Sequence, residues 1–291
     1  MKSYDLAFSL GFSCGTTQAL RAAGLQFASF PLDWVGVPSL AVSVRAVEGG
    51  FAHWLEADDL KLVDVCHGVG FCTRIYLNVR TGFGFSHEFS DFRRFEKSYP
   101  DVKDMYDRRI ERFLRQTESV KRILAVYVEH ADREALPERE LQTALAQLRG
   151  RFPQAVVDLL YVYEDASCRA PAVRRDADGL TMVAADYRQV EDGRVTQFVN
   201  VGLLASWLKS HVIVSDVRTA DERRKFSADA RQAANGRWGE DKGVLRRWLN
   251  HRIYKLYRHL ERVMIRRGLA QKERPVWFWD GMDSAEVGRW R

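Results

Sequence analysis

Cys14 stands where an apolar run, Leu6-Ala7-Phe8-Ser9-Leu10, gives way past Gly11 to a helix-like run from Thr16 to Ala23, closed by Gly24. A thiol at a strand-to-helix turn lies beside the unpaired N–H groups of the first helical turn, where the helix dipole favours an anion. Such a thiol has a lowered pKa and is a better nucleophile at neutral pH. The same N–H groups can receive an oxyanion. Gly11-Phe12-Ser13-Cys14-Gly15 therefore holds two of the parts that acyl chemistry needs. A cysteine at a helix start also serves as a small buried hydrophobe. The same five residues read as the Gly-x-Ser-x-Gly elbow of serine hydrolases, which makes Ser13 a second candidate, ranked below Cys14 because the pattern is short.

A cysteine nucleophile needs a base, usually a histidine. Among seven histidines, His87 fits best. It ends the Gly- and Phe-rich run Gly82-Phe83-Gly84-Phe85-Ser86, in the same half of the chain as Cys14, with Glu88 and Asp91 after it. A cysteine on an early helix followed by a histidine on a later strand is the papain-like order. His130, past a strand in a charged loop, and His53, His67, His211, His251 and His259 fit less well.

The residue that would orient the base stays open. Asp33, in Phe30-Pro31-Leu32-Asp33-Trp34, is near Cys14 in sequence, and reads equally as a capping carboxylate. Asp91 and Asn78 are weaker choices. Arg108, Arg109 and Arg112 can grip a carboxylate or phosphate, and read equally as a solvated helix face paired with Asp107 or Glu111. Cys66, His67 and Cys72 cluster without a common zinc spacing, so no metal is expected.

These residues need a scaffold, and hydrophobic periodicity outlines one. Strands are expected near 4–10, 61–65, 74–79 and 83–87, with helices near 15–23 and 38–48 and a charged helix from Asp101 to Glu118. The run 123–128, a helix near 137–149 and the run 156–163 form a βαβ unit. Leu180–Asp186 and Arg194–Val199 read as a hairpin-type pair around Asp192-Gly193. A helix near 202–209 leads to Val212-Ile213-Val214. The expected class is α/β or α+β, a mixed sheet flanked by helices with the cysteine on an N-terminal helix. Residues 243–268 read as one long helix with a basic face that includes Arg246, Arg247, Arg252, Lys255, Arg258 and Arg262. Residues 1–235 are the expected catalytic-like domain, and 236–291 a basic helical extension.

The 291 residues, 46% of them apolar, can build a sizeable core. A net charge of +6 is compatible with phosphates, anionic glycans, nucleic acid or anionic lipid, and selects none of them. Four cysteines are too sparse for a disulfide framework. No signal-peptide pattern opens the chain and no stretch has the length to span a bilayer. A cytoplasmic location is expected, with at most a peripheral hold on the inner membrane through 243–268. No recognised nucleic-acid motif accompanies the basic residues, so nucleic acid is not an expected partner.

Ser9-Leu10-Gly11-Phe12-Ser13-Cys14, then Ala19-Leu20-Arg21-x-x-Gly24-Leu25, then Phe30-Pro31-Leu32-Asp33-Trp34 form a set with Ser86-His87-Glu88-Phe89 and Arg108-Arg109-Ile110-Glu111-Arg112-Phe113. Together, from about residue 4 to 165, they resemble a bacterial family of papain-like cysteine peptidases that has long stood as a domain of unknown function. The family commonly has Pro-Phe-Asp-Trp where this chain carries Leu32. The resemblance implies Cys14 as nucleophile and His87 as its base. The family is also distantly similar to a capsule-polysaccharide acetyltransferase with a comparable Cys/His pair, which implies acyl transfer from coenzyme A as a rival to hydrolysis. No other cofactor is implied. The expected substrate is a small molecule, glycan or peptide. Ser13, Gly15, Trp34, Arg109 and Arg112 are the candidate contacts to it, and Cys14, His87 and Asp33 the candidate catalytic residues. An accessory, non-catalytic role in surface-glycan assembly, resting on the basic helix, is the other reading.

Overall fold

The computed structural model describes residues 1–224 except 13, 38, 69–70, 91–93, 192–193, 217, 219–220 and 222, with backbone alone at 66–68, 71–73, 87, 90, 189–191 and 194–199. The expected helix over 243–268 and the proposed extension 236–291 lie outside the described residues, as do Ser13 and Asp91.

The chain opens with β1 (Lys2–Tyr4) and β2 (Leu6–Gly11), then α1 (Cys14–Ala22), a 3-10 turn Pro31–Trp34, β3 (Val35–Gly36) and α2 (Leu40–Glu48). Next come β4 (Leu60–Gly68), β5 (Phe71–Asn78), β6 (Gly84–Ser90) and α3 (Phe95–Ser119). The βαβ unit follows as β7 (Arg122–Val128), α4 (Glu138–Arg151) and β8 (Val156–Glu164). Then come β9 (Ala172–Ala177), β10 (Leu180–Ala185), β11 (Arg188–Glu191), β12 (Arg194–Val199), α5 (Val201–His211) and β13 (Val212–Val214).

Five strands form the central sheet in the order β2-β7-β8-β10-β9. The first four are parallel, and β9 joins β10 antiparallel. A second, antiparallel sheet has the order β3-β6-β5-β4. The fold is thus α/β with a mixed sheet flanked by helices. All six residues of β2 are buried. Alternate strand residues face opposite sides of a sheet, so both faces of β2 are covered. The helices packed on it are α1 and α2, which also meet α5 and α4 respectively.

Three elements differ from the sequence expectation. The strand expected at 4–10 divides at Asp5, whose carboxylate accepts the N–H groups of Lys121 and Arg122 at 2.9 Å each. This lets β1 leave β2 and pair with β13. The expected pairing of 180–186 with 194–199 does not occur. β10 lies in the central sheet between β8 and β9, and β12 pairs with β11. The strand β9, rich in charge and open on one edge, carries little periodic signal. Finally, α3 starts at Phe95 rather than Asp101 and holds Pro100 inside it, where the missing N–H leaves the Glu96 carbonyl without its i+4 donor.

An aromatic core joins the two sheets. Phe113 of α3 meets Phe8 of β2, Phe30 and Phe51 edge-on at 5.0, 5.5 and 5.3 Å between centroids. Trp54 continues the contact to Phe83 and Phe85, and Phe85 to Tyr106. Edge-to-face pairs of this kind add to plain burial and fix mutual orientation. Through them the strand that carries His87 is held against the strand that leads to Cys14.

Candidate active site

Cys14 is the first residue of α1, at the carboxyl edge of the parallel sheet. Ligands of open α/β sheets bind at that edge. The turn that delivers Cys14 is pinned from several sides. Gly11 has φ +106°, and a Cβ there would lie 2.5 Å from Val37 Cγ2. Only glycine supplies that conformation at that approach. The Phe12 N–H donates to the Val128 carbonyl (3.2 Å), and the Phe12 carbonyl accepts the Val37 N–H (2.9 Å). The Thr16 hydroxyl donates to the Gly11 carbonyl (2.7 Å), and the buried Ser43 hydroxyl of α2 to the Leu10 carbonyl (2.5 Å). The Phe12 ring stands edge-on to His130, 4.7 Å between centroids. His130 lies in the loop past β7, as expected, and is buried there.

The thiol is half-buried, and its pKa runs opposite to the sequence expectation. Burial pushes it above its ordinary 9.0; the Cys14 N–H pulls it down, and the charge of Glu88 raises it further. The helix N-terminus does favour the thiolate, but lost solvation outweighs it. Burial and the Glu88 charge thus favour the thiol over the thiolate.

Glu88 was noted from sequence only as an acidic neighbour of His87. The structure brings it within electrostatic reach of Cys14. β6 is placed by pairing Val35 with Phe85 and Gly36 with Gly84, next to the Val37–Phe12 bond. The buried Tyr106 phenol of α3 donates to Glu88 Oε1 at 2.9 Å. Burial and the Glu88 charge hold that phenol well above its ordinary pKa, so it stays a donor. His87 lies in β6 between Phe85 and Phe89, with its backbone alone described.

Asp33 is fully buried. Its oxygens accept Gln26 Nε2 at 2.9 and 2.7 Å, the Phe30 N–H at 2.7 Å and the Thr17 hydroxyl at 3.1 Å. Arg21 approaches to 3.9 Å. These partners belong to α1 and the loop after it, the arrangement of a capping carboxylate. Asp33 thus seats the helix that begins at Cys14. Asn78 is a turn residue: its amide donates to the His53 and Trp54 carbonyls and its oxygen accepts the Arg80 and Thr81 N–H groups.

The remaining candidates are distributed around this centre. Gly15 is buried in the first turn of α1, beside the thiol. Trp34 is half-buried with the Arg21 guanidinium 5.1 Å above its ring. Arg112 donates to the Ser29 carbonyl at 2.9 Å. Arg109 is only 7% exposed, over the Tyr106 ring at 4.8 Å, with its Nη1 unpaired. Arg112 thus engages the 29–33 turn, and Arg109 a ring of its own helix. Across β4 and β5, His67 pairs with Cys72 in register.

These features define an α/β protein that presents one cysteine at the carboxyl edge of its first parallel strand, at a turn locked by neighbouring strands. A family model described as "Putative papain-like cysteine peptidase (DUF1796)" matches residues 5–157, more than half of the chain. The chain belongs to this family. The match runs from the start of β2 to the beginning of β8 and includes Cys14, Asp33, His87, Glu88 and Tyr106. No curated protein and no solved structure matches the chain. Among the described residues no helix is long and apolar enough to cross a membrane.

Proposed function

We propose that Cys14 is the nucleophile of a thiol-dependent acyl reaction, with His87 as its base. The observation that carries this reading is the placement of Cys14 at the locked β2–α1 turn, with β6 alongside. Family membership supports a thiol enzyme in general.

With burial favouring the thiol over the thiolate, the chemistry follows general-base lines. The His87 imidazole takes the thiol proton as Sγ bonds to the carbonyl carbon of an amide, ester or thioester. The oxyanion so formed lies against backbone N–H groups of the first turn of α1. When the tetrahedral species collapses, the bond to the leaving group breaks and His87 returns the proton to that group. An acyl-thioester remains on Cys14. Water resolves it in a hydrolase; a hydroxyl or amine resolves it in an acyltransferase, with coenzyme A the first leaving group where the donor is an acyl-coenzyme A. Both outcomes share this first half-reaction.

The test is turnover of peptide, aryl ester and acetyl-coenzyme A probes by wild type, Cys14→Ala and His87→Ala. Turnover of at least one probe by wild type, lost in Cys14→Ala with an unchanged circular dichroism spectrum, supports the reading. Equal turnover in Cys14→Ala overturns it.

A further inference from the structure

A guanidinium stays charged and has only donors, so a buried arginine needs an acceptor. Arg109 is only 7% exposed, and its buried Nη1 has none. The face of the Tyr106 ring, 4.8 Å away, attracts the charge and leaves that N–H donor unmet. Arg21 of α1 shows the same lack. Its Nε is buried without a partner, while its Nη2 donates to the Ser29 hydroxyl at 2.7 Å and approaches Asp33 at 3.9 Å. Arg112 donates to the carbonyl of the same Ser29 at 2.9 Å. It follows Arg109 by three residues and so shares its face of α3. That helix packs on the 31–34 turn, and Arg109 lies within electrostatic reach of Arg21 and Asp33. Three guanidiniums thus gather around Ser29 and Asp33. The Asp33 oxygens are already enclosed by Gln26, the Phe30 N–H and Thr17. Positive charge exceeds negative here, and buried donors without acceptors are costly. A bound anion removes both costs. The Arg21 side chain is 31% exposed, and Ser29 and Trp34 are half-buried, so the cluster opens to solvent.

The cluster also shares a helix face with the thiol. Cys14 and Arg21 stand seven residues apart on α1, two turns along one face and about 10 Å along the axis. Thr17, between them on that face, bonds to Asp33 at 3.1 Å.

We propose that Arg21 and Arg109, with Arg112 at the rim, form an anion site that takes a phosphate or carboxylate group of the substrate, about 10 Å from the carbonyl that Cys14 attacks. Guanidinium forks match the oxygens of either group. Assigning the anion to the substrate rests on the reading of Cys14 as the reacting thiol; binding of the anion itself does not.

The experiment follows the thermal midpoint of the full chain in low-salt buffer as inorganic phosphate, sodium acetate or sodium chloride is added. A saturable rise with phosphate or acetate, beyond that with chloride at equal ionic strength, is expected. A response to phosphate alone assigns a phosphate ester, and a response to acetate a carboxylate. The concentration that gives half the rise should increase about tenfold in Arg109→Met and in Arg21→Gln. It should stay unchanged in Arg139→Gln, an exposed arginine of α4. Arg21→Gln decides the matter should Arg109→Met fail to fold. No rise beyond chloride in wild type overturns the inference without need of any variant. A rise that persists unchanged in the folded variants, or weakens equally in Arg139→Gln, overturns it as well, since diffuse surface charge then accounts for it. The two readings fail separately. Turnover lost in Cys14→Ala with no anion response removes the anion site and leaves the nucleophile. An anion response with turnover intact in Cys14→Ala leaves the site and removes its assignment to the substrate of Cys14.

Discussion

The Thr17 hydroxyl, on the helix that begins at Cys14, donates to the Asp33 carboxylate at 3.1 Å in a fully buried setting. This bond couples two sequence motifs sixteen residues apart and ties the helix that carries the thiol to a buried carboxylate. Gln26 and the Phe30 N–H complete the shell. Removing a member of such a network leaves the others without partners in a place water does not reach, and that loss exceeds the worth of the bond itself.

Asp33→Ala is therefore expected to cost roughly 2–4 kcal/mol of stability, and Thr17→Val about 1 kcal/mol. Urea denaturation followed by tryptophan fluorescence measures both. Equal midpoints for Asp33→Ala and wild type would show that the network contributes nothing.

Stability should carry a pH signature from the same residue. Burial raises the Asp33 carboxyl above its ordinary 3.8, against the pull of Gln26, the Phe30 N–H and Arg21. Between the unfolded and the raised folded pKa, the folded chain keeps a proton that the unfolded chain has released. Unfolding free energy from this group therefore falls as pH rises through the window just above 3.8. Asp33→Asn is neutral throughout and lacks that slope. Its stability relative to wild type should improve as pH is raised through the window, and urea midpoints from about pH 4 to about pH 7 check it. A constant difference would contradict the raised pKa.

Gly11→Ala should destabilise by about 3 kcal/mol or more. The added Cβ meets Val37 Cγ2 at 2.5 Å and Val37 Cβ at 2.8 Å, on a backbone at φ +106°. Thermal unfolding of the variant reports the cost. Val37→Ala in the same background should recover part of it by removing the steric component and leaving the backbone one.

The pH profile of Cys14 alkylation should rise later than that of an unperturbed thiol. Burial and Glu88 both raise the pKa, so thiolate accumulates only above the ordinary value of 9.0. In Glu88→Gln one of the two causes is gone and the profile should move to lower pH. Iodoacetamide labelling with peptide mass spectrometry gives the curve. A profile centred well below the ordinary value would mean a preformed thiolate and a different resting state.

Periodicity and turn chemistry made most elements legible. The run 6–10, the helix after Cys14, α2 and the β7-α4-β8 unit depend on local pattern, and a buried parallel strand announces itself by a continuous apolar run. Cys14 was legible as a candidate because a thiol between a strand and a helix is a local arrangement. Partnership across the chain was not legible. Hydrophobic alternation states that β10 and β12 are strands but not which neighbours they take, since several apolar edges satisfy either. Asp33 read from sequence equally as an orienting residue and as a capping carboxylate; only folding shows its oxygens enclosed by Gln26, Phe30 and Thr17. The direction of the Cys14 pKa depends on a balance between helix N–H groups, burial and Glu88, and two of those three are set by what packs around the turn. The sequence by itself determined a helix-seated thiol in an α/β chain; tertiary structure decided that it is half-buried at a locked turn, with its pKa raised rather than lowered, because solvation and charge depend on distance in space and not along the chain.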